Sequence, residues 1–236
     1  MDFQFKQFSI QQDQCAFKVG TDSVLLGSWV NPEQTKNILD IGTGSGILAL
    51  MMAQKTAAAS ITAIDIDEGA FLQAKLNFES SPWKDRIQII HSSLQEHAAN
   101  RSTQYDLIIS NPPYFINKAH AKDSALSIAR NTQTLPFEEL LKAAHALLLE
   151  SGKLCVVLPT PEAKLFRKFA ENQGFVLSKL LRIQTKPGDS YEKRHLMQFE
   201  KTAFYYQEEI LVIEGEEHFQ YSEEYKNLTK DFYLAF

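Results

Sequence analysis

The feature that most constrains this chain is a glycine-rich stretch at residues 38–46, with the sequence Ile-Leu-Asp-Ile-Gly-Thr-Gly-Ser-Gly. The apolar run Ile38 to Ile41 is typical of a buried strand, and Ile47 to Gln54 is typical of a helix. A strand, a glycine turn and a helix in this order form the first unit of a nucleotide-binding α/β sheet. Glycine suits the turn because it adopts backbone angles that a Cβ disfavours and lets a ligand approach the backbone closely.

The residues around this turn narrow the class of ligand. Asp40 lies inside the predicted strand, where a buried carboxylate is costly unless it has a donor partner. Gly42, Gly44 and Gly46 follow a G-x-G-x-G spacing, not the G-x-G-x-x-G spacing of dinucleotide-binding enzymes. This pattern resembles motif I of the Rossmann-like S-adenosylmethionine (SAM) methyltransferases, which implies that Asp40 and the three glycines bind SAM. An ordinary glycine turn in another α/β protein is the alternative, and the remaining motifs must decide.

Composition sets outer limits on the function. The 236 residues, 44% hydrophobic and 22% charged, suit one α/β domain with small additions. No apolar run approaches the ~20 residues of a membrane span, and the first residues do not resemble a signal peptide. Cys15 and Cys155 lack metal-ligand spacing and the histidines are scattered, so we expect reduced thiols, no metal site and a cytoplasmic protein. The net charge of −5 argues against a polyanion-binding surface over the whole protein but permits a local basic face.

Strand-like and helix-like segments alternate along the rest of the chain. Further strands are predicted at 60–64, 87–90, 105–110, 153–158, 175–183 and 196–206, and further helices at 24–30, 70–78, 137–149 and 162–173. This order predicts a Rossmann-like α/β fold with a mostly parallel seven-stranded sheet, helices on both faces and an antiparallel hairpin at one edge. We expect a single domain over 1–236, with 1–36 as an N-terminal extension and 207–236 as an acidic C-terminal extension.

Asp65 is a further candidate for the cofactor site. It ends the second predicted strand, 25 residues beyond Asp40, which is close to the ~20-residue gap at which an acid contacts ribose hydroxyls in Rossmann-like sites. One carboxylate can accept from both hydroxyls. An acid at this point can instead cap the next helix, but Asp67 suits that role better because the helix starts just after it.

Two hydroxyl residues complete the predicted cofactor contacts. The turn at residues 20–22 could close over the cofactor, which makes Thr21 a candidate, and Thr21, Asp22 or Ser23 is expected to cap the helix that follows. Ser93 follows the third strand, at a position where many proteins with motif I carry an acid that binds the adenine amino group of SAM. The adenine contact at Ser93 is therefore left open.

The sequence Asn-Pro-Pro-Tyr at residues 111–114 directly follows a predicted strand, and its prolines end that strand in a rigid turn. Because ligands in such sheets bind outside the carboxyl ends of the strands, Asn111 is expected beside the glycine turn and also near the cofactor. The motif resembles motif IV of the methyltransferases that modify an amino or amide nitrogen. A β-turn with an aromatic plug is the alternative explanation.

The chemistry of adenine N6 explains why these residue types suit methyl transfer. The N6 lone pair is delocalised into the ring, so the nitrogen is a poor nucleophile. The side-chain oxygen of Asn111 and the backbone carbonyl of Pro112 can each accept one N6 hydrogen, and proline has no competing N–H. Tyr114 can stack on a base taken out of its helix. The catalytic candidates are therefore Asn111, Pro112 and Tyr114.

Two adjoining segments carry a more specific resemblance. They are Lys-Val-Gly-Thr-Asp at 18–22 and Leu-Leu-Gly-Ser-Trp at 25–29. Together with the glycine turn, Ser-Pro-Trp at 81–83 and the motif at 111–114, they resemble the bacterial tRNA1(Val) adenine-N6-methyltransferase family from Phe8 to about Phe199. The resemblance implies SAM as cofactor, tRNA as substrate and methylation of adenine-37, just 3′ of the anticodon. The oligomeric state is left open, with a monomer as the simplest expectation.

Two loops carry the basic side chains that we predict to bind RNA. One is the polar segment 115–136, which is longer than usual loops, and the other is 185–194. The candidates are Lys118, Lys122, Arg130, Lys186, Lys193 and Arg194. The alternative is that these are merely solvated loop charges.

Two other functions compete with tRNA methylation. Release-factor glutamine methyltransferases usually carry a sizeable helical domain ahead of motif I, whereas 37 residues precede Ile38 here. A SAM-fold module that binds RNA without catalysis would not need the intact motif at 111–114. Both remain alternatives that an assay of methyl transfer distinguishes.

Overall fold

A computed structural model describes residues 2–13, 18–57, 59–100, 103–113, 135–215 and 220–236. Five residues named above, Cys15, Tyr114, Lys118, Lys122 and Arg130, lie outside these ranges. Within them, no helix is both long and apolar enough to cross a bilayer. The described ranges also hold no group of three or more His, Cys, Asp or Glu side chains suited to a metal ion.

The described residues form ten strands and seven α-helices. The strands are β1 Phe3–Gln4, β2 Ser9–Ile10, β3 Asn37–Ile41, β4 Ser60–Asp65, β5 Ile87–His91, β6 Tyr105–Ser110, β7 Leu148–Pro159, β8 Val176–Gln184, β9 Arg194–Glu200 and β10 Gln207–Val212. The helices are α1 Thr21–Trp29, α2 Ile47–Lys55, α3 Glu68–Glu79, α4 Leu94–Ala99, α5 Phe137–Leu147, α6 Thr160–Asn172 and α7 Glu223–Thr229. A short 3₁₀ helix at Lys84–Arg86 precedes β5.

Eight of these strands form one sheet in the order β10-β8-β9-β7-β6-β3-β4-β5. Strand β9 is antiparallel to both of its neighbours, and the other pairs are parallel. Strands β1 and β2 form a separate antiparallel pair. The Rossmann-like α/β class and the mostly parallel sheet predicted from the sequence are confirmed.

The sheet has one strand more than the seven predicted. The predicted last strand, 196–206, is shorter in the structure, and after a loop the chain adds β10 along β8. The antiparallel hairpin therefore does not form the edge, because β9 lies between β7 and β8 and β10 lies outside β8. Strand β10 is hard to recognise in the sequence because an outer strand exposes most of its side chains and tolerates the charges of Glu208 and Glu209.

Helices cover both faces of the sheet, as predicted. One buried cluster joins the sheet to α1, α2, α3 and α7, and a second joins it to α4, α5 and α6. Along β3, Ile38 belongs to the first cluster, whereas Leu39 and Ile41 belong to the second. Because both faces of β3 are buried, its residues from Ile38 to Ile41 are apolar with one exception, Asp40, which lies next to the glycine turn.

Candidate active site

The carboxyl ends of three neighbouring strands meet at the glycine turn. Asp40 of β3 is paired with a residue of β4 on one side and with a residue of β6 on the other. Because these strands are parallel, the residues two positions after each member of these pairs also lie side by side. They are Asp65, Gly42 and Asn111. The structure therefore brings these three candidates together at the edge where ligands bind in such sheets.

The glycine turn leaves open space at this edge. The backbone N–H of Gly42 donates to the Ile64 carbonyl at 2.9 Å, which fixes the start of the turn against β4. Gly42, Gly44 and Gly46 all have positive φ angles, of +66°, +56° and +86°. A Cβ on Gly42 or Gly44 would meet no described atom within 4 Å. A ligand can therefore lie directly against the backbone of these two residues.

Asp65 joins the glycine turn to the loop after β4. The side chain is 9% exposed; one carboxylate oxygen accepts from the Gly44 N–H at 2.8 Å and the other from the Asp67 N–H at 3.0 Å. Burial raises the pKa of Asp65 above its ordinary value. The helix-cap role belongs to Asp67, which accepts from the Ala70 N–H at 2.8 Å, as predicted.

Asp40 is fully buried, and only one of its two carboxylate oxygens has hydrogen-bond donors among the described residues. Its Oδ2 accepts from Thr43 Oγ1 at 2.6 Å and from the Ala49 N–H at 3.1 Å. Its Oδ1 has no hydrogen-bond partner among the described residues. Burial raises the pKa of Asp40 from 3.8 to about 7, although the two hydrogen bonds act in the opposite direction. The donor expected for this carboxylate is therefore present on one oxygen and missing on the other.

Asn111 is held at the end of β6 by contacts on both sides. The preceding Ser110 hydroxyl donates to the Ile41 carbonyl of β3 at 2.8 Å, and the following Pro112 is buried. The Asn111 Nδ2 donates to the Ser23 hydroxyl of α1 at 2.9 Å. The Asn111 Oδ1 is buried and has no partner among the described residues. The side chain thus offers an unused acceptor beside the glycine turn.

Ser93 is engaged in the helix that follows it. Its hydroxyl caps α4, accepting from the Glu96 N–H at 3.2 Å and donating to a Glu96 carboxylate oxygen at 2.8 Å. Glu96 in turn accepts from the Ser93 N–H at 3.0 Å, which completes a capping box. The spacing S-x-x-E before an apolar helix is the sequence signal for this arrangement, although the sequence reasoning did not use it. Ser93 therefore caps α4, and its hydroxyl cannot supply the carboxylate that many proteins with motif I carry at this position.

The start of α1 differs from its prediction. The helix begins at Thr21, three residues earlier than predicted, and its N-cap is Gly20, without a side-chain cap among the described residues. Thr21 is exposed on the first turn. Asp22 and Ser23 contact other elements instead, because Arg194 Nε donates to Asp22 Oδ2 at 2.7 Å and Ser23 binds Asn111. Sequence reasoning did not identify these two contacts, since they join residues far apart in the chain.

The basic loop 185–194 lies at the same edge as the glycine turn. Strand β8 ends there at Gln184 and the antiparallel β9 begins there at Arg194. Lys193 is exposed, and Lys186 lies 3.6 Å from a Glu214 carboxylate oxygen. Arg194 contacts Asp22 and is therefore not a simple solvated charge. The structure thus places this loop beside the carboxyl ends of the strands.

Comparisons with known proteins agree with this fold. The family model described as "Methyltransferase small domain" matches residues 14–173. A crystal structure of a predicted O-methyltransferase from Agrobacterium tumefaciens covers 89% of this chain and 96% of its own, with a TM-score of 0.71 and 16% sequence identity. At that identity, the likeness shows the shared fold alone.

Closer relatives come from two Flavobacterium species. A protein of Flavobacterium johnsoniae is 45% identical over 237 residues, and one of Flavobacterium psychrophilum is 44% identical over 233 residues. Each comparison covers 98% of this chain and 99% of the relative, and both relatives are named tRNA1(Val) (adenine(37)-N6)-methyltransferase. The resemblance seen in the motifs thus extends over nearly the whole chain. With the methyltransferase fold and the glycine turn in place, the chain belongs to the tRNA1(Val) (adenine(37)-N6)-methyltransferase family.

Proposed function

We propose that this protein methylates N6 of adenine-37 in tRNA1(Val), with SAM as the methyl donor, and that it acts in the cytoplasm. The names of its relatives support the substrate and the reaction. The observation that carries the proposal at the level of residues is the unused Oδ1 of Asn111, a buried acceptor next to the glycine turn.

The residues at the glycine turn fit SAM. The open space against Gly42 and Gly44 lets the cofactor approach the backbone, which a Cβ at either position would hinder. The Asp65 carboxylate has acceptor capacity beyond its contacts with backbone N–H groups, so it can also accept from a ribose hydroxyl. The unpaired Oδ1 of Asp40 is suited to a cationic donor such as the SAM ammonium group. Bound SAM supplies a methyl group activated by its sulfonium.

The residues at 111–114 prepare the acceptor nitrogen. Asn111 Oδ1 accepts one N6 hydrogen and the Pro112 carbonyl accepts the other, which holds the amino group and directs its lone pair away from the ring. Tyr114, which lies outside the described residues, stacks on the base. These residues act mainly by positioning and by electrostatics, since no strong base is needed before the methyl group moves.

Asn111→Ala tests this assignment. The variant should lose methyl transfer to tRNA while it keeps the SAM affinity and the melting temperature of the wild type. Tyr114→Ala should also lower the rate, because base stacking is worth about 1–3 kcal/mol, and Tyr114→Phe should keep most of it. A stable, SAM-binding Asn111→Ala protein that methylates at the wild-type rate would overturn the role of Asn111.

The substrate is tested separately from the residues. Labelled SAM is supplied with purified tRNA, ribosomal RNA, DNA or release factor, and label should enter tRNA alone, at N6 of adenine-37. Label in a release factor would favour the glutamine methyltransferase alternative. Tight tRNA binding without label in any pool would favour the non-catalytic module.

A further inference from the structure

Tyr191 is an exposed aromatic side chain in the basic loop 185–194. The residue is 58% exposed, and Lys193, two positions later, is exposed as well. The loop joins β8 to β9 at the edge of the sheet where Asn111 follows β6. An exposed ring near a cation suits single-stranded nucleic acid, because the ring offers a face for stacking and the cation attracts the phosphates.

Tyr191 differs from the other exposed tyrosines in its lack of a partner within the protein. The others are hydrogen-bonded to a carboxylate or stacked on a ring, namely Tyr205 on Glu200, Tyr206 on Glu208 and Tyr221 on Tyr225. Among the described residues, Tyr191 makes neither a hydrogen bond nor a contact with another ring. No contact in the described part of the chain therefore accounts for an aromatic ring at this position.

The backbone that carries Tyr191 is held in place directly after it. The Lys193 N–H donates to the Ile183 carbonyl at 2.8 Å, and the carboxylate of Glu192 is paired with Arg182 at 2.6 Å. A ring on a backbone fixed in this way costs little ordering of the loop when a ligand binds. The pairing of Glu192 also neutralises an acidic group next to Tyr191 that would otherwise repel a phosphate.

The sheet order shows which base Tyr191 is suited to contact. Strand β7 separates β9 from β6, so the loop lies roughly 10–15 Å across the sheet from Asn111, at about 4.8 Å for each strand. The two residues are therefore suited to different bases of one RNA loop. Methylation of adenine-37 requires that this base leave its stack, which deprives a neighbouring base of a stacking partner. An aromatic side chain at this distance can replace that partner.

We propose that Tyr191 stacks on an unpaired base next to adenine-37 in the anticodon loop of the bound tRNA. This inference rests on the proposed function, since it takes tRNA as the substrate. It adds a residue that binds the RNA through the face of a ring and not through charge. Tyr191 contacts neither SAM nor the reacting nitrogen in this proposal.

Affinity for a tRNA anticodon stem-loop tests the ring directly. Tyr191→Ala should weaken binding about 5- to 150-fold, the range that corresponds to the loss of one stacked base. Tyr191→Phe and Tyr191→Trp should bind within about twofold of the wild type, because they keep a ring face, whereas Tyr191→Leu should resemble Tyr191→Ala. The SAM dissociation constant and the melting temperature should not change. Wild-type affinity in Tyr191→Ala, or equal losses in Tyr191→Ala and Tyr191→Phe, would overturn the proposal.

Phe204→Ala is the matched control for removing an exposed ring. Phe204 is fully exposed and follows β9 at the opposite edge of the sheet, so its loss should leave RNA affinity at the wild-type value. The dependence of affinity on salt provides a second comparison. Tyr191→Ala should keep the wild-type slope, since a phenol ring neutralises no phosphate. A slope reduced by about one would show that the variant disturbs a phosphate contact and would overturn the stacking role.

Stem-loops that lack one base identify the base that Tyr191 contacts. The base is removed at position 36, 37 or 38 in turn, and each RNA is titrated with the wild type and with Tyr191→Ala. At position 36 or 38, the missing base should weaken binding to the wild type at least fivefold and to Tyr191→Ala less than twofold, since the stacking is already lost. Equal losses in both proteins at positions 36 and 38 would overturn the proposal, as would such a coupling at position 37 alone.

Failure of this inference can be told apart from failure of the proposed function. The stacking is measured as affinity, which does not depend on methyl transfer. A wild-type protein that methylates adenine-37 while Tyr191→Ala retains full affinity would overturn the stacking alone. A wild-type protein without affinity for tRNA would overturn both.

Discussion

The ring of Phe78 occupies the space in which a Cβ on Gly46 would lie, with Cε1 only 2.4 Å from that position. Gly46 precedes the first residue of α2, and Phe78 belongs to α3 and is 3% exposed. The third glycine of the motif is therefore needed for packing between two helices. Gly42 and Gly44 face open space instead, so the glycines of one motif serve two different purposes.

Gly46→Ala should destabilise the protein by about 2–5 kcal/mol. The left-handed backbone costs an alanine about 1–2 kcal/mol, and forcing the methyl group against a packed ring adds about 1–3 kcal/mol. The free energy of unfolding from urea titrations measures the destabilisation. A Gly46→Ala protein as stable as the wild type would show that Phe78 moves aside at little cost.

Gly44→Ala is the matched comparison, and it should lose SAM affinity rather than a large part of its stability. It carries the same backbone strain of about 1–2 kcal/mol but meets no described neighbour, so it should be the more stable of the two variants. Its methyl group would enter the space assigned to SAM, and calorimetry should show at least a tenfold loss of SAM affinity. Wild-type SAM affinity in Gly44→Ala would move the cofactor away from this turn.

Asp40 should make the stability of the SAM-free protein depend on pH. Its folded pKa is raised from 3.8 to about 7, so the stabilisation is complete below about pH 4 and is lost as the pH rises through 7. A shift of this size corresponds to on the order of 4 kcal/mol at pH 8. Asp40→Asn should remove most of this slope when unfolding free energies are measured between pH 5 and pH 8.

SAM provides a second measurement on the same carboxyl group. If the SAM ammonium group pairs with Asp40, the cofactor should favour the ionised carboxylate and lower its pKa. SAM affinity should then rise between pH 6 and pH 8 in the wild type and stay level in Asp40→Asn. A pH profile that is the same in both proteins would exclude a charge contact between Asp40 and SAM.

The sequence was sufficient to predict the centre of the sheet and the place of the site. Strands β3, β4 and β6 are buried on both faces, so their apolar runs are easy to recognise, and parallel pairing then brings Asp65, Gly42 and Asn111 to one edge. The outer strand β10 was not predicted because its pairing to β8 depends on backbone groups and little on side-chain pattern.

The side-chain contacts between α1 and the strands at the site could not be predicted from the sequence for a different reason. Ser23 and Asn111 are 88 positions apart, and Asp22 and Arg194 are 172 apart. No local pattern records such pairs, since they arise only when α1 packs onto the folded sheet. The capping box between Ser93 and Glu96, in contrast, joins residues three positions apart, and the S-x-x-E spacing in the sequence is sufficient to predict it.

Asp65→Ala should weaken SAM binding at least tenfold. A hydrogen bond to a charged group is worth roughly 1.5–3 kcal/mol. The variant removes the proposed ribose contact together with the hydrogen bonds that Asp65 accepts from the backbone N–H groups of Gly44 and Asp67. Asp67→Ala is the control, since it removes the cap of α3 and should lower stability by about 1 kcal/mol without a comparable decrease in SAM affinity. Unchanged SAM affinity in Asp65→Ala would remove this residue from the site.

The loop 185–194 should contribute to tRNA binding through Lys186 and Lys193. Removing one lysine–phosphate interaction lowers the slope of log affinity against log salt by about one, so Lys186→Gln with Lys193→Gln should lower it by about two. Arg194 is left intact because its pairing with Asp22 holds α1.

Two lysines at the opposite edge of the sheet serve as the control for this test. Lys36 and Lys84 are exposed and precede the amino ends of β3 and β5. Replacing both by Gln changes the net charge by the same amount, so any effect of overall charge on tRNA binding appears in both double variants. The slope should fall only in the variant of loop 185–194, because a phosphate contact requires that the lysine face the bound RNA. Equal slopes in the two double variants would place the RNA-binding face elsewhere on the protein.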